Sequence, residues 1–168
     1  IYVIVDTSGS TSMTVGRSRG GFGGGPFGGG GGSMRFLDTS KALLDAILSV
    51  LPAHLEALRS RRLINAQPVR LRLWHFDQQT TKLGEMILGG NSAFATTDLS
   101  PLRTQLSTLQ PGGVTNYDSW SSELRAAIAA HPTHLHSALL VTDGGATSRD
   151  SFFSTIAAIQ KQERLGFF

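Results

Sequence analysis

The chain has 168 residues, 40% of them hydrophobic, with mean hydropathy −0.01, which is enough for one domain with a sizeable core. Fifteen Lys and Arg against twelve Asp and Glu give a net charge of +3, too weak a bias to argue for nucleic acid, and no apolar run approaches a membrane span. Cysteine is absent, which excludes disulfides, thiolate metal sites and a cysteine nucleophile.

Residues 1–5, Ile-Tyr-Val-Ile-Val, form a continuous apolar, β-branched run, the mark of a strand buried on both faces. It ends in the polar turn Asp6-Thr7-Ser8-Gly9-Ser10. Residues 16–33 hold 11 of the chain's 20 glycines and read as one flexible insertion, because glycine loses too much backbone entropy in regular structure. A phosphate-binding P-loop is a poor match, since no Lys-Ser/Thr pair follows. From Phe36 to Arg62 the period becomes helical, with Leu37, Leu44, Ile47, Leu51, Leu55 and Leu58 on one face and Pro52 as a kink or break. Val69–Phe76 alternates as a strand with one wetter face. Lys82–Leu88 is a weaker strand, paired antiparallel to it through the turn at 77–81.

Leu99–Leu109 reads as a short helix after Asp98, and Pro111–Asn116 as a loop. Tyr117–Ala130 is a helix with Trp120, Leu124, Ala127 and Ile128 inward, stopped by Pro132. Ala138–Val141 is a second fully apolar strand, and it too ends in a polar turn, Thr142-Asp143-Gly144-Gly145. Ser151–Leu165 is a last helix, and Phe167-Phe168 begins another strand. The opening on a bare strand and the ending on Phe168 read as cut edges of a longer protein. The expected fold is α/β, a doubly wound, mostly parallel sheet with one antiparallel edge strand and helices on both faces. Residues 1–168 form a single domain in this reading, interrupted only by the glycine-rich insertion.

Ligands of open α/β sheets bind at the carboxyl ends of the strands, where three polar loops can converge. These are Asp6-x-Ser8-x-Ser10, Gly113-Val114-Thr115-Asn116 and Thr142-Asp143-Gly144. They offer two carboxylates and three hydroxyls, all hard oxygen donors. That inventory suits Mg²⁺, with Mn²⁺ as a substitute, and leaves a position for an acidic group from a partner.

The pattern Asp6-x-Ser8-x-Ser10, then Thr115, then Asp143 resembles the metal-ion-dependent adhesion site of the von Willebrand factor type A family. The flanking words Val-Asp-Thr-Ser-Gly-Ser, Gly-Gly-Val-Thr-Asn-Tyr and Val-Thr-Asp-Gly resemble that family too. The resemblance implies a Rossmann-like fold and roles for the residues. Ser8, Ser10 and Thr115 would be hydroxyl ligands. Asp6 and Asp143 would act directly or through water, Asp6 also orienting the serines, while Gly9 and Gly144 permit tight turns. The chain departs from the pattern at Thr11, where Met or Gly is common, in its nearly pure glycine insertion, and in lacking the family's final strand and helix. The implied function is a metal-dependent module that captures a protein partner's Asp or Glu. The alternative is a scaffolding domain of a larger chelatase-, stress-response- or repair-like assembly, in which the metal only stabilises the loops.

Other chemistries fit less well. His131, His134 and His136 lie around Pro132 with no fourth zinc ligand and read as solvated loop histidines. His75 reads as a partly exposed strand residue. A serine hydrolase would want Gly-x-Ser-x-Gly and a histidine at the same sheet edge. A phosphotransfer enzyme would want a second carboxylate where Ser8 stands. The expectation is therefore a binding domain without catalysis. One prediction concerns the insertion: long surface insertions cost little closure entropy, so replacing residues 18–31 with a short Gly-Ser turn should leave the thermal midpoint nearly unchanged. A large drop would show that Phe22 or Phe27 packs into the fold.

Overall fold

A computed structural model describes residues 1–12, 35–65, 67–90, 92–143, 154, 156–160 and 166–167. The insertion at 16–33 and the turn glycines 144 and 145 lie outside the described residues. Five strands form one sheet: β1 (Tyr2–Asp6), β2 (Val69–Phe76), β3 (Thr80–Leu88), β4 (Ser137–Val141) and β5 (Gly166–Phe167). Their order is β3-β2-β1-β4-β5. Pairing is parallel throughout except between β2 and β3, whose antiparallel ladder shifts register at Leu73/Trp74. Three helices, α1 (Phe36–Ser60), α2 (Ser100–Thr108) and α3 (Tyr117–Ala129), are joined by a further helical stretch at 154 and 156–160.

β1 is the central strand, and all five of its residues are buried. Its alternation divides the interior into two cores. Val3 and Val5 join Leu71 and Leu73 of β2 against Leu37, Leu44, Leu48 and Leu55 of α1 and Leu102 and Leu106 of α2. Tyr2 and Ile4 join Trp74 and Phe76 against Tyr117, Trp120, Leu124 and Ile128 of α3, with Ile159. Helices thus cover both faces, and the α/β, mostly parallel sheet with one antiparallel pair is the architecture that the alternating patterns describe.

The details shift in three places. α1 runs unbroken through Pro52, which is itself buried on the inward face. The packing of Leu48 and Leu55 on either side of it holds the helix although proline supplies no N–H there. β3 begins at Thr80 rather than Lys82, because the turn needs only residues 77–79. β4 is less buried than its composition suggests: Ala138 is fully enclosed, but Leu139, Leu140 and Val141 are only partly so. β2, which meets helices on both faces, carries four buried residues instead.

The start of α2 is held by Asp98, whose carboxylate accepts both the N–H and the hydroxyl of Ser100, each at 2.8 Å. Asn116 caps α3 in the same way, its Oδ1 accepting the Asp118 N–H at 3.1 Å. Adjacent leucines of α1 test the division of its faces. Leu44 is fully buried and Leu43 is 56% exposed. Leu44→Ala should cost about 2–5 kcal/mol in chemical denaturation, and Leu43→Ala no more than about 0.5 kcal/mol. Similar costs for the two would contradict this orientation of the helix.

Candidate functional site

The site begins where β1 ends. Asp6 is fully buried, and its carboxylate works as a junction. Oδ1 accepts the Ser8 N–H at 2.9 Å, which folds the chain back directly after the strand. Oδ2 accepts the Thr142 hydroxyl at 2.7 Å, which joins the end of β4 to the end of β1. Thr142 spends its proton on Asp6, so the Tyr117 hydroxyl donates to Thr142 Oγ1, at 3.1 Å. The Ser8 and Ser10 hydroxyls lie 3.0 Å apart, Ser8 buried and Ser10 half-buried.

Backbone hydrogen bonds bring in the second loop. The Gly112 N–H donates to Thr7 O at 2.7 Å, and the Gly9 N–H donates to Gly113 O at 3.1 Å. A Cβ at Gly9 would come within 3.2 Å of that same carbonyl oxygen, so any larger residue would push the two loops apart by a few tenths of an ångström. Thr115 is half-buried two residues further on. Its side chain makes no hydrogen bond to Asp6, Ser8, Ser10 or Asp143 among the described residues. Asp143, also half-buried, follows Thr142, and its charge is felt at Asp6. Burial chiefly, with the Asp143 charge adding to it, raises the Asp6 carboxyl above its ordinary value of 3.8; the hydrogen bonds from Thr142 and Ser8 oppose the shift. The Tyr117 hydroxyl is raised as well, chiefly by burial, with the charges of Asp6 and Asp143 contributing.

Ser8 is therefore bonded to both Asp6 and Ser10, Asp143 is near enough for its charge to act on Asp6, and Thr115 rides on a loop bonded to both neighbours of Ser8. Among the described residues no three His, Cys, Asp or Glu side chains group to hold a metal ion, so any cation here would depend on hydroxyl donors. The donor chemistry fits a small hard cation. Two oxygens at right angles around Mg²⁺, each about 2.0–2.1 Å from it, are about 3 Å apart. The Ser8 and Ser10 hydroxyls have that separation.

Two contributors to this region are tertiary and escape a motif reading. Thr142, itself held by Tyr117, orients Asp6, and only a hydroxyl directly following an apolar strand hints at it. Thr7 anchors the loop from the other side: its hydroxyl donates to Phe76 O at 3.1 Å, so His75 Nδ1, at 2.9 Å, carries the proton toward Thr7. His75 is thus tied to the loop beyond Asp6, and burial lowers its pKa, with the Asp77 charge opposing.

The histidines around Pro132 lie by Tyr2, at the opposite end of β1. His136 is buried, a correction to the expectation of a solvated side chain. Its Nε2 donates to His131 O at 3.0 Å, and its Nδ1 accepts from the Tyr2 hydroxyl at 3.2 Å. That hydroxyl in turn accepts from Arg72 at 2.8 Å. A buried tyrosine needs a partner for its polar tip, and His136 supplies it. His131 and His134 stack with ring centroids 5.1 Å apart, His134 facing solvent.

No protein-family model matches the sequence, and no curated protein matches it. Solved structures do match the fold. A von Willebrand factor type A protein from Catenulispora acidiphila superposes with a TM-score of 0.53 at 11% identity, over 99% of this chain and 31% of the other. The chain has a von Willebrand factor type A-like fold. Proximal thread matrix protein 1 from the mussel byssus matches at 0.50 and 12% identity, over 99% of this chain and 36% of the other. The D319A mutant of the PilB minor pilin from Streptococcus sanguinis matches at 0.50 and 17% identity, over 83% and 28%. The chain thus spans about a third of the length of these structures, and at such identities the likeness concerns the fold alone. In this type A-like fold, the Asp6 junction sits at the carboxyl edge of the sheet.

The raised Asp6 pKa sets a sign for the metal-free protein. A carboxyl whose folded pKa exceeds its unfolded one favours folding most below the unfolded value, and that contribution is lost as pH rises through the folded value. Asp6→Asn keeps the acceptor for the Ser8 N–H, presents a donor in place of the acceptor to Thr142, whose hydroxyl must then turn, and removes the buried charge. In chelator at pH 7 it should raise the thermal midpoint, and the difference from wild type should shrink as the pH falls toward 4. A lower midpoint for Asp6→Asn at pH 7 would show that the carboxylate stabilises the loops on its own.

Proposed function

We propose that the chain is a protein-binding module that holds a Mg²⁺-class cation and through it captures an acidic side chain of a partner. Ser8, Ser10 and Thr115 would supply hydroxyl ligands, with Asp6 and Asp143 acting directly or through water. The observation that carries this reading is the junction at Asp6. One buried carboxylate fixes the Ser8–Ser10 loop on one side and the Thr142–Asp143 loop on the other. Its two oxygens are already engaged, so Asp6 is placed to orient ligands while the serine hydroxyls face each other at 3.0 Å.

The bound cation would supply charge that hydroxyls leave largely uncompensated. A partner's carboxylate then gains strongly by entering an open position, more than a neutral amide can. No bond is made or broken in this scheme, so the module is proposed as a binder and not as an enzyme. Val114, next to Thr115, is 64% exposed and gives the rim of the site an apolar surface. No helix among the described residues is long and apolar enough to cross a membrane.

Calorimetry with Mg²⁺ tests the site. One binding event is expected for the wild-type chain, and Asp6→Ala with Asp143→Ala should weaken it at least about tenfold. Thr115→Ala should weaken Mg²⁺ binding by a similar factor while changing stability by less than about 0.5 kcal/mol, because it removes a ligand and no core contact. Unchanged Mg²⁺ binding in the double variant would overturn the assignment. Once a partner is in hand, replacing its critical Asp or Glu by Asn or Gln should abolish the complex, as should chelator. A complex that survives chelator would instead favour a scaffolding domain whose metal only stabilises the loops.

A further inference from the structure

The Thr115 loop is gripped from two sides, and only one of them belongs to the Asp6 motif. On the far side lies the turn between β2 and β3. Asp77 directly follows Phe76, the residue in register with Asp6, so the turn leaves the sheet at the same edge as the candidate site. The Asp77 carbonyl accepts the Asn116 N–H at 2.8 Å, and Gln78 O accepts from Asn116 Nδ2 at 3.1 Å. Just beyond, the Thr80 and Ser119 hydroxyls meet at 2.9 Å. The Asp77 side chain shapes the turn itself, its Oδ1 accepting the Gln79 N–H at 3.1 Å.

Its other oxygen lies against Gly113. That glycine has φ of 68°, and a Cβ there would come within 2.7 Å of Asp77 Oδ2 and 2.9 Å of Asp77 Cβ. Asp77 therefore touches the loop at Gly113 with its side chain and at Asn116 with its carbonyl. Thr115 lies between these two points.

We propose that Asp77 is a positioning residue for Thr115, and that the β2–β3 turn is the brace which presents that hydroxyl to the site. The inference rests on the metal-binding reading for its functional consequence but not for its geometry. Thr115 makes no side-chain hydrogen bond to the Asp6 junction among the described residues, so its place is set through the backbone on either side of it. The Gly112 and Gly113 bonds to Thr7 and Gly9 hold one end, and the Asn116 bonds to Asp77 and Gln78 hold the other. Releasing the Asp77 contacts loosens Thr115 without unfolding the sheet, because Tyr117, buried at the start of α3, still anchors the chain just beyond Asn116. The carboxylate acts by accepting a hydrogen bond and filling space, so an amide of the same shape can replace it.

The test compares wild type, Asp77→Asn and Asp77→Gly in the full 168-residue chain. Amide hydrogen exchange at Asn116 is read without metal, and Mg²⁺ binding by calorimetry. In Asp77→Gly, exchange at Asn116 should quicken on the order of five- to tenfold and Mg²⁺ binding should weaken by a similar factor, with exchange in β1 unchanged. Asp77→Asn should stay within about twofold of wild type in both. Wild-type exchange at Asn116 in Asp77→Gly would overturn the proposal, and so would equal acceleration in β1, which would mean general destabilisation. Loss of Mg²⁺ binding in Asp77→Asn would also overturn it, by assigning the effect to charge. If the wild-type chain binds no Mg²⁺, the metal reading fails by itself, and the exchange comparison still decides whether Asp77 braces the loop.

Discussion

A carboxylate buried at the end of the central strand must find hydrogen-bond donors or lose its charge. Asp6 finds two, in Ser8 just after it and in Thr142 at the end of β4, 136 residues later in the sequence. These bonds turn one side chain into a clamp between two loops. A third loop is bonded to the first through backbone groups, since Gly9 and Gly112 lie close enough for main-chain bonding across the gap. The cost of burying the charge remains visible in the raised Asp6 pKa.

The fold supplies the conditions for this clamp. Parallel pairing of β1 with β2 and β4 brings three strand ends to one edge, so the polar turns that follow them must meet. The two cores hold the sheet from opposite faces. Tyr117 connects one core to the site, packing its ring near Phe76 while its hydroxyl reaches Thr142.

Most of the architecture can be read in the sequence because the strands announce themselves by run and alternation. Val69–Phe76 matches its observed bounds, and the buried stretch at 1–5 is the sheet's centre. The readings that fail depend on partners remote in sequence. Pro52 looks like a helix breaker until flanking leucines are seen to pack. His136 looks like a solvated loop residue until Tyr2, 134 residues away, is found to need an acceptor. Asp6, Ser8, Ser10, Thr115 and Asp143 were conspicuous as spaced oxygen donors. The side chains that orient them are ordinary Thr and Tyr in ordinary places, and Asp77 is one more turn aspartate by sequence alone. Spacing reveals which atoms could touch an ion, whereas the groups that aim those atoms are selected by three-dimensional contact.

The placement of β1 also bears on how the chain acquires its structure. The central strand is flanked by neighbours whose paired residues are separated in sequence by 70 positions on one side, as for Tyr2 and Arg72, and by 136 on the other, as for Tyr2 and Ala138. Pairings of such long range are slow to form, because closure entropy is lost before any contact compensates it. During synthesis the apolar run Tyr-Val-Ile-Val leaves the ribosome well before β4 exists to pair with it. β2 can cover one edge once it emerges, but the other edge stays open until β4 is made, and such an unpaired hydrophobic edge is of the kind that chaperones shield.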